Sequence, residues 1–241
     1  MTRPRLLVLV VGTATDIGKT WVGGHTLQVL AERDVRVAAR KPAQSFGADD
    51  PHPTDAQVLA AATGEPAEVV CPAHRSYPVP MAPPMAADVL GRPVPTTADL
   101  LDELHWPTPA VDVGWLETVG GPRSPIGSDG DAVTIAEHLD PDLVLLVADA
   151  GLGTVNAVLV SLAPFEGRRV LVVLNRFDPE NDLHARNRAW LSVASAASVV
   201  AWRRYISAPF TNACVLSSEK RLKSAASRSR GCDTVTTRAA A

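Results

Sequence analysis

Gly18-Lys19-Thr20, at the foot of an unbroken apolar run, is the stretch of this sequence best suited to chemistry. A loop of this composition turns backbone N–H groups toward an anion. A lysine then reaches the outer phosphates of a nucleotide, and a threonine hydroxyl reaches a divalent cation. Lys19 and Thr20 fit the last two roles, and Gly12, Thr13, Ala14, Thr15, Asp16, Ile17 and Gly18 supply the loop. The strict spelling of such a loop places glycine five positions before Gly18, whereas Thr13 stands there and the glycine comes one position earlier, at Gly12. An ordinary strand-to-helix turn also favours glycine. The order of apolar run, Gly-Lys-Thr and helical pattern favours the phosphate loop.

Lysine usage points to a second cation. Before residue 220 the only lysines are Lys19 and Lys41, in a chain that otherwise takes its positive charge from arginine. An ammonium is a compact point charge and a guanidinium a planar fork, so a crowded phosphate site can require lysine where the surface does not. Glu117 ends another apolar run and is followed by Gly120-Gly121, which suits an acid facing a metal beside a loop that approaches phosphate closely. Asp55 follows Thr54, a candidate helix N-cap, and taken by itself reads first as a complement to the helix dipole. Gly153-Thr154-Val155-Asn156 opens a further helix and offers a second anion site. Asn175 closes an apolar run, and a residue that caps its own turn reads the same way.

The elements that must position these residues follow from periodicity. Leu6–Val11 reads as a strand buried on both faces, and a helix begins near Trp21 and covers Val22–Arg33. Further strands are expected at Val35–Arg40, Val111–Leu116, Asp142–Ala148 and Arg169–Arg176. Helices are expected from Thr54, over Thr97–Leu104 and over Leu183–Leu191. The alternation predicts a single α/β domain, a mostly parallel sheet flanked by helices of the P-loop NTPase kind. Ligands of such sheets gather outside the carboxyl ends of the strands, so Lys41 and Ser45 should share a crevice with the phosphate loop. Tyr77–Ala87 is dense in proline, which stiffens a segment without sheet hydrogen bonds and suits a crevice wall.

With 241 residues and 46% hydrophobic content the chain can bury a real core. No apolar run approaches the ~20 residues of a membrane span, and the N-terminus enters a strand directly, so the expectation is a cytoplasmic protein without a secretory signal. Cys71, Cys214 and Cys232 lack metal-ligand spacing. Charge is uneven: residues 192–241 hold eight Lys/Arg against Glu219 and Asp233, while the first 191 residues hold 15 Lys/Arg against 24 Asp/Glu. Such a split can mark a nucleic-acid arm, but the basic residues spell no RNA-binding motif with interleaved aromatics, and no nucleic-acid partner is expected. Residues 217–241 offer little to bury and are expected to be unstructured.

The spelling Gly-Thr-x-Thr-x-x-Gly-Lys-Thr from Gly12 to Thr20 resembles the ATP-dependent dethiobiotin synthetases. Lys41-Pro42-Ala43-Gln44-Ser45 is similar to that family's Lys-Pro-Val-x-Ser/Thr segment, and Tyr77–Ala87 to its Tyr-Pro-x-x-Pro-x-x-Ala-Ala region. Glu117–Gly121 is similar to its Glu-Gly-Ala-Gly-Gly, with Thr118 and Val119 departing from it. The resemblance implies ATP- and Mg²⁺-dependent carboxylation and ring closure of 7,8-diaminononanoate with CO₂. It implies catalytic Lys19 and Lys41, Mg²⁺ on Thr20, Asp55 and Glu117, and ATP held by Gly12–Thr20, Glu117 and Asn175. Thr15, Asp16, Lys41 and Ser45 would bind substrate, joined across a homodimer interface by Gly153, Thr154, Val155 and Asn156. The resemblance covers residues 5–191. The expected division is therefore a catalytic body over 1–191 and an atypical basic segment over 192–241 that lacks the family's last strand and adenine-side loop, to the detriment of nucleotide binding.

Two rivals share the loop. An amide-forming P-loop ligase of the cobyrinic acid diamide synthase kind usually needs a glutaminase domain that this chain is too short to include. A MinD/ParA-like ATPase switch usually carries a second lysine at the start of the loop, in the region of Thr13.

Overall fold

The structure, a computed structural model, describes residues 2–195 and 197–202. In chain order these form β1 (Leu6–Gly12), α1 (Lys19–Ala31), β2 (Val37–Arg40), β3 (Gln44–Ser45), α2 (Asp55–Thr63) and α3 (Ala67–Val70). Then come β4 (Ser76–Tyr77), α4 (Pro83–Val89), α5 (Thr97–Asp102), β5 (Val113–Glu117) and α6 (Ala132–Leu139). The remaining elements are β6 (Leu143–Asp149), α7 (Thr154–Leu162), β7 (Val170–Asn175), α8 (Asp182–Ala194) and β8 (Ser198–Ala201). Among the described residues the main sheet has six strands in the order β2-β5-β1-β6-β7-β8, every pairing parallel.

β1 and β6 run through the middle of this sheet, and their unbroken Leu/Val composition is what burial on both faces requires. Alternate residues point to one face: Leu7, Leu9 and Val11 pack there with Val144 and Leu146, under Ile135 of α6, Val158 of α7 and Leu191 of α8. On α1, Gly23 lies against Trp115 of β5 and Leu59 of α2; a Cβ there would stand 3.0 Å from both side chains. The chain leaves β1 for β2 on one side and takes up β6 on the other, so β1 marks the point where the winding reverses. In open α/β sheets that point is where ligands bind, and β1 ends in the phosphate loop. No helix among the described residues is long and apolar enough to cross a membrane.

Most expected elements stand within two residues of their predicted ends. α1 begins at Lys19 rather than near Trp21, because Gly18 takes a left-handed φ of 89° and lets the helix start directly behind it. Five elements had no sequence expectation. α3 is a single short turn. α6 is opened by Asp131, which accepts from the amides of Val133 and Thr134. β3 and β4 form a small parallel sheet of their own. β8 alters the expected boundary: α8 runs past Leu191 to Ala194, and β8 pairs with β7 from Leu171–Ser198 to Leu174–Ala201. Four residues in an Ala/Ser-rich stretch carry too short an apolar pattern to read as a strand; the exposed edge of β7 supplies what the pattern lacks. The expectation for residues 217–241 lies outside the described residues.

Candidate active site

The phosphate loop is built by exclusion of side chains. A Cβ on Gly12 would stand 2.8 Å from the carbonyl oxygen of Ala14 and 3.0 Å from that of Gly120, so glycine is required one position before the place where the strict spelling puts it. Gly18 is required twice over: its φ is 89°, and a Cβ would stand 2.2 Å from Nδ2 of Asn175. No side chain caps α1, and among the described residues the N–H groups of Ile17, Gly18 and Lys19 meet no acceptor. An anion at this helix start would find unengaged donors.

Behind the loop four predicted residues converge. Glu117 ends β5 beside Val10 of β1 and is fully buried. Lys41 follows β2 and is 1% exposed, its backbone N–H held by the carbonyl of Val70 at 2.7 Å. Its Nζ lies 2.6 Å from Asp55 Oδ2 and 2.9 Å from Glu117 Oε1. Asp55 is placed by the start of α2: Thr54 and Gln57 form a reciprocal capping box, and Gln44 Oε1 accepts from the amide of Ala56 at 2.9 Å. The Thr20 hydroxyl lies 2.6 Å from Asp55 Oδ1 and 2.7 Å from Glu117 Oε1. Its single proton can be donated to only one of them.

Glu117 Oε2 is buried and has no hydrogen-bond partner among the described residues. Three hard oxygens with fewer protons than acceptors, beside a phosphate loop, fit a small divalent cation that takes its other ligands from phosphate and water. Among the described residues no group of three His, Cys, Asp or Glu side chains converges, so two carboxylates and a hydroxyl are what the protein offers such an ion.

The cluster sets its own protonation. Burial would push the Lys41 ammonium down, but the carboxylates of Asp55 and Glu117 outweigh it and hold its pKa above the usual lysine value. Burial likewise favours a neutral Asp55, yet Lys41, by charge and hydrogen bond, brings its carboxyl down to about 2. Lys19 goes the other way: burial, then repulsion from Lys41, lowers its pKa, the nearby carboxylates only partly opposing them. Lys41 is thus a fixed cation, whereas Lys19 has no carboxylate within salt-bridge distance among the described residues.

These groups open on a cleft of about 640 Å³ lined by Thr15, Asp16, Gly18, Lys19, Thr20, Lys41, Ser45 and Asp55. Glu117 is fully buried, and neither it nor Gly12, Thr13, Ala14 and Ile17 of the loop lines the cleft. Thr118 turns away: its hydroxyl donates to the carbonyl of Val10 at 2.9 Å, and only Val119 of the two departures faces the cleft. Asn175 donates Nδ2 to the carbonyl of Ile17 at 2.9 Å, a loop-holding contact the sequence did not indicate. Gly153–Asn156 does not line the cleft; Gly153 and Asn156 are exposed, and Thr154 donates its hydroxyl to the carbonyl of Asp149 at 2.5 Å. Pro80, Met81, Ala82 and Pro83 line the cleft from the proline-dense segment expected to form a wall, whereas sequence reasoning missed Gln44, Phe46 and His52 as lining residues. Gln44 lies inside the Lys41–Ser45 segment and was within reach of that reading, whereas the others come from loops whose path is not written in any periodicity.

Compared with known proteins, residues 7–205 match the family described as AAA domain. The ATP-dependent dethiobiotin synthetase BioD of Haloferax mediterranei is 34% identical over 182 residues, 74% of this chain and 75% of that protein. The protein of the same name from Anaeromyxobacter dehalogenans is 32% identical over 204 residues, 81% of this chain and 89% of that protein. The family match runs past Leu191 and takes in β8, in keeping with the sheet.

Proposed function

The chain belongs to the ATP-dependent dethiobiotin synthetase family, and from that premise we propose how its cleft carries the ATP-dependent closure of 7,8-diaminononanoate with CO₂ to dethiobiotin. The observation that carries the reading is that Lys41 and Thr20 each reach both Asp55 and Glu117, at 2.6–2.9 Å, beside the phosphate loop. A buried lysine fixed as a cation, beside a second buried lysine, matches a reaction in which negative charge gathers on transferring oxygens.

One amine of the substrate adds to CO₂ and loses a proton, giving a carbamate. A carbamate oxygen attacks the γ-phosphorus of ATP and ADP departs. The second amine then attacks the carbonyl carbon of the mixed anhydride, phosphate leaves, and the cyclic urea closes. Phosphoryl transfer asks the protein mainly for positioning and charge neutralisation. Lys19 faces the outer phosphates, and Lys41 faces the carbamate and the transferring group. Thr20, Asp55 and Glu117 would hold Mg²⁺, which when bound supplies compact positive charge to the phosphate oxygens. Thr15, Asp16 and Ser45 orient the diamine and carbamate, and Phe46, Met81 and Val119 give the alkyl chain an apolar wall. Asn175, at the carboxyl end of β7, stands on the side of the loop where the adenine would lie.

Among the described residues no lysine or arginine lines the cleft beyond Lys19 and Lys41, which this reading gives to the phosphates and the carbamate, so the substrate carboxylate needs a further partner. We assign that role to Gly153, Thr154, Val155 and Asn156 of a second copy. The exposure of Leu152 (92%) and Val160 (66%) on either side of that turn supports a homodimer. A cytoplasmic setting, where ATP is available, accords with this reading. The deciding experiment is conversion of 7,8-diaminononanoate, bicarbonate and ATP to dethiobiotin, ADP and phosphate by the purified protein; ATP hydrolysis without ring closure would refute it.

A further inference from the structure

The last residue of β7 and the one that follows it both reach the phosphate loop. Asn175 donates Nδ2 to the carbonyl of Ile17 at 2.9 Å, and Arg176 donates Nη2 to the carbonyl of Asp16 at 2.7 Å. The other arm of the guanidinium pairs with Asp149 Oδ2 at 3.0 Å. Asp149 is itself braced, since its Oδ1 accepts from the amide of Gly151 at 2.8 Å. Arg176 achieves this reach from a left-handed φ of 57°, and the loop it grips has left-handed residues at Asp16 (φ 56°) and Gly18 (φ 89°).

A trans peptide plane points its C=O and the following N–H in opposite directions. Holding the carbonyls of Asp16 and Ile17 toward β7 therefore aims the N–H groups of Ile17 and Gly18 away from it. Those two groups meet no acceptor among the described residues. Left-handed residues within a short loop make a concavity of such donors, which suits an anion. We infer that Arg176, together with Asn175, is a positioning residue that presets the phosphate-binding face of the loop before nucleotide arrives. Arg176 never touches the nucleotide in this arrangement. It acts by fixing two peptide planes, and through Asp149 it joins the loop to the turn that opens α7. The inference rests on the reading of Gly12–Thr20 as the ATP phosphate cradle.

The test is equilibrium binding of ATP and of inorganic triphosphate to the wild-type protein, to Arg176→Asn, whose side chain tolerates a left-handed φ, and to Arg176→Lys, which keeps one donor. Losing a charge-assisted hydrogen bond to the loop should weaken both ligands in parallel by about tenfold in Arg176→Asn, with a smaller loss in Arg176→Lys. The preference for ATP over GTP should not move. Unchanged triphosphate affinity, or a loss confined to ATP with altered base preference, would overturn the positioning role. If Arg176→Asn fails to fold, Asp149→Asn removes the brace and leaves the guanidinium, and the same parallel loss is expected; its absence overturns the inference. A wild-type protein that binds neither ligand would instead strike the reading of the loop itself.

Discussion

Lys41 illustrates how one buried charge constrains its neighbours. Glu117 is fully buried, and removing Lys41 leaves it without its paired ammonium, a change that costs about 3–5 kcal/mol, whereas removing Glu117 still leaves Lys41 paired with Asp55. Replacement by arginine keeps the charge but asks a planar fork to fit a space shaped around one ammonium. Lys41→Arg is expected to retain its far-ultraviolet circular dichroism and to lose at least about a hundredfold in turnover, on the scale of removing a transition-state donor; near-normal turnover would show that Lys41 is not catalytic. Thr118 and Val119 separate two roles that look alike in sequence. Thr118 spends its hydroxyl on Val10, so Thr118→Val should lower stability by about 1 kcal/mol and leave the KM for the diamine unchanged. Val119→Ala should shift that KM with little effect on melting, because Val119 faces the cleft. The reverse pattern in these two variants would mean that the β5 tip is read backwards.

Among elements, α8 and β8 carry the finding that sequence periodicity could not supply. Leu191 is fully buried in the cluster formed by β1, β6, β7 and α6, although the sequence reading placed it at the end of the catalytic body. Leu191→Ala should destabilise the protein by about 2–5 kcal/mol, as truncation of a buried leucine does. Chemical denaturation with an unchanged slope would measure it, and a loss below about 1 kcal/mol would mean that α8 is not packed as described. Val199 of β8 also packs against this cluster, so a chain ending at Leu191 would uncover the edge of β7 as well as one side of the core.

At the scale of the whole molecule, the cleft has two lysines and the oxygens proposed to hold Mg²⁺, while the turn proposed for the substrate carboxylate lies apart from it. Both facts are accommodated if two copies exchange their α7 turns. Sedimentation should give a dimer at assay concentrations, and Asn156→Ala, which changes an exposed side chain, should raise the KM for the diamine without affecting ATP binding. A monomer with full turnover would refute the exchange.

The sequence by itself determined the parallel sheet and singled out the Gly12–Thr20 loop, Lys19, Thr20, Lys41 and Glu117, because each is tied to a local pattern. Apolar runs buried on both faces, glycine at a strand end and two lysines in an arginine-rich chain are all legible without neighbours, whereas Asp55 by itself reads as a complement to the helix dipole and stands out only through the family resemblance. Tertiary structure alone decided what depends on residues far apart in the chain. It brought Lys41 within reach of Glu117, 76 residues away, and turned Thr118 inward. It recruited four residues with hardly any pattern of their own as β8. It also gave Asn175 and Arg176 the loop carbonyls of Asp16 and Ile17 to hold, contacts that span 158 and 160 residues. A side chain's direction and its distant partner are set by packing, and packing is a property of the folded chain rather than of any stretch within it.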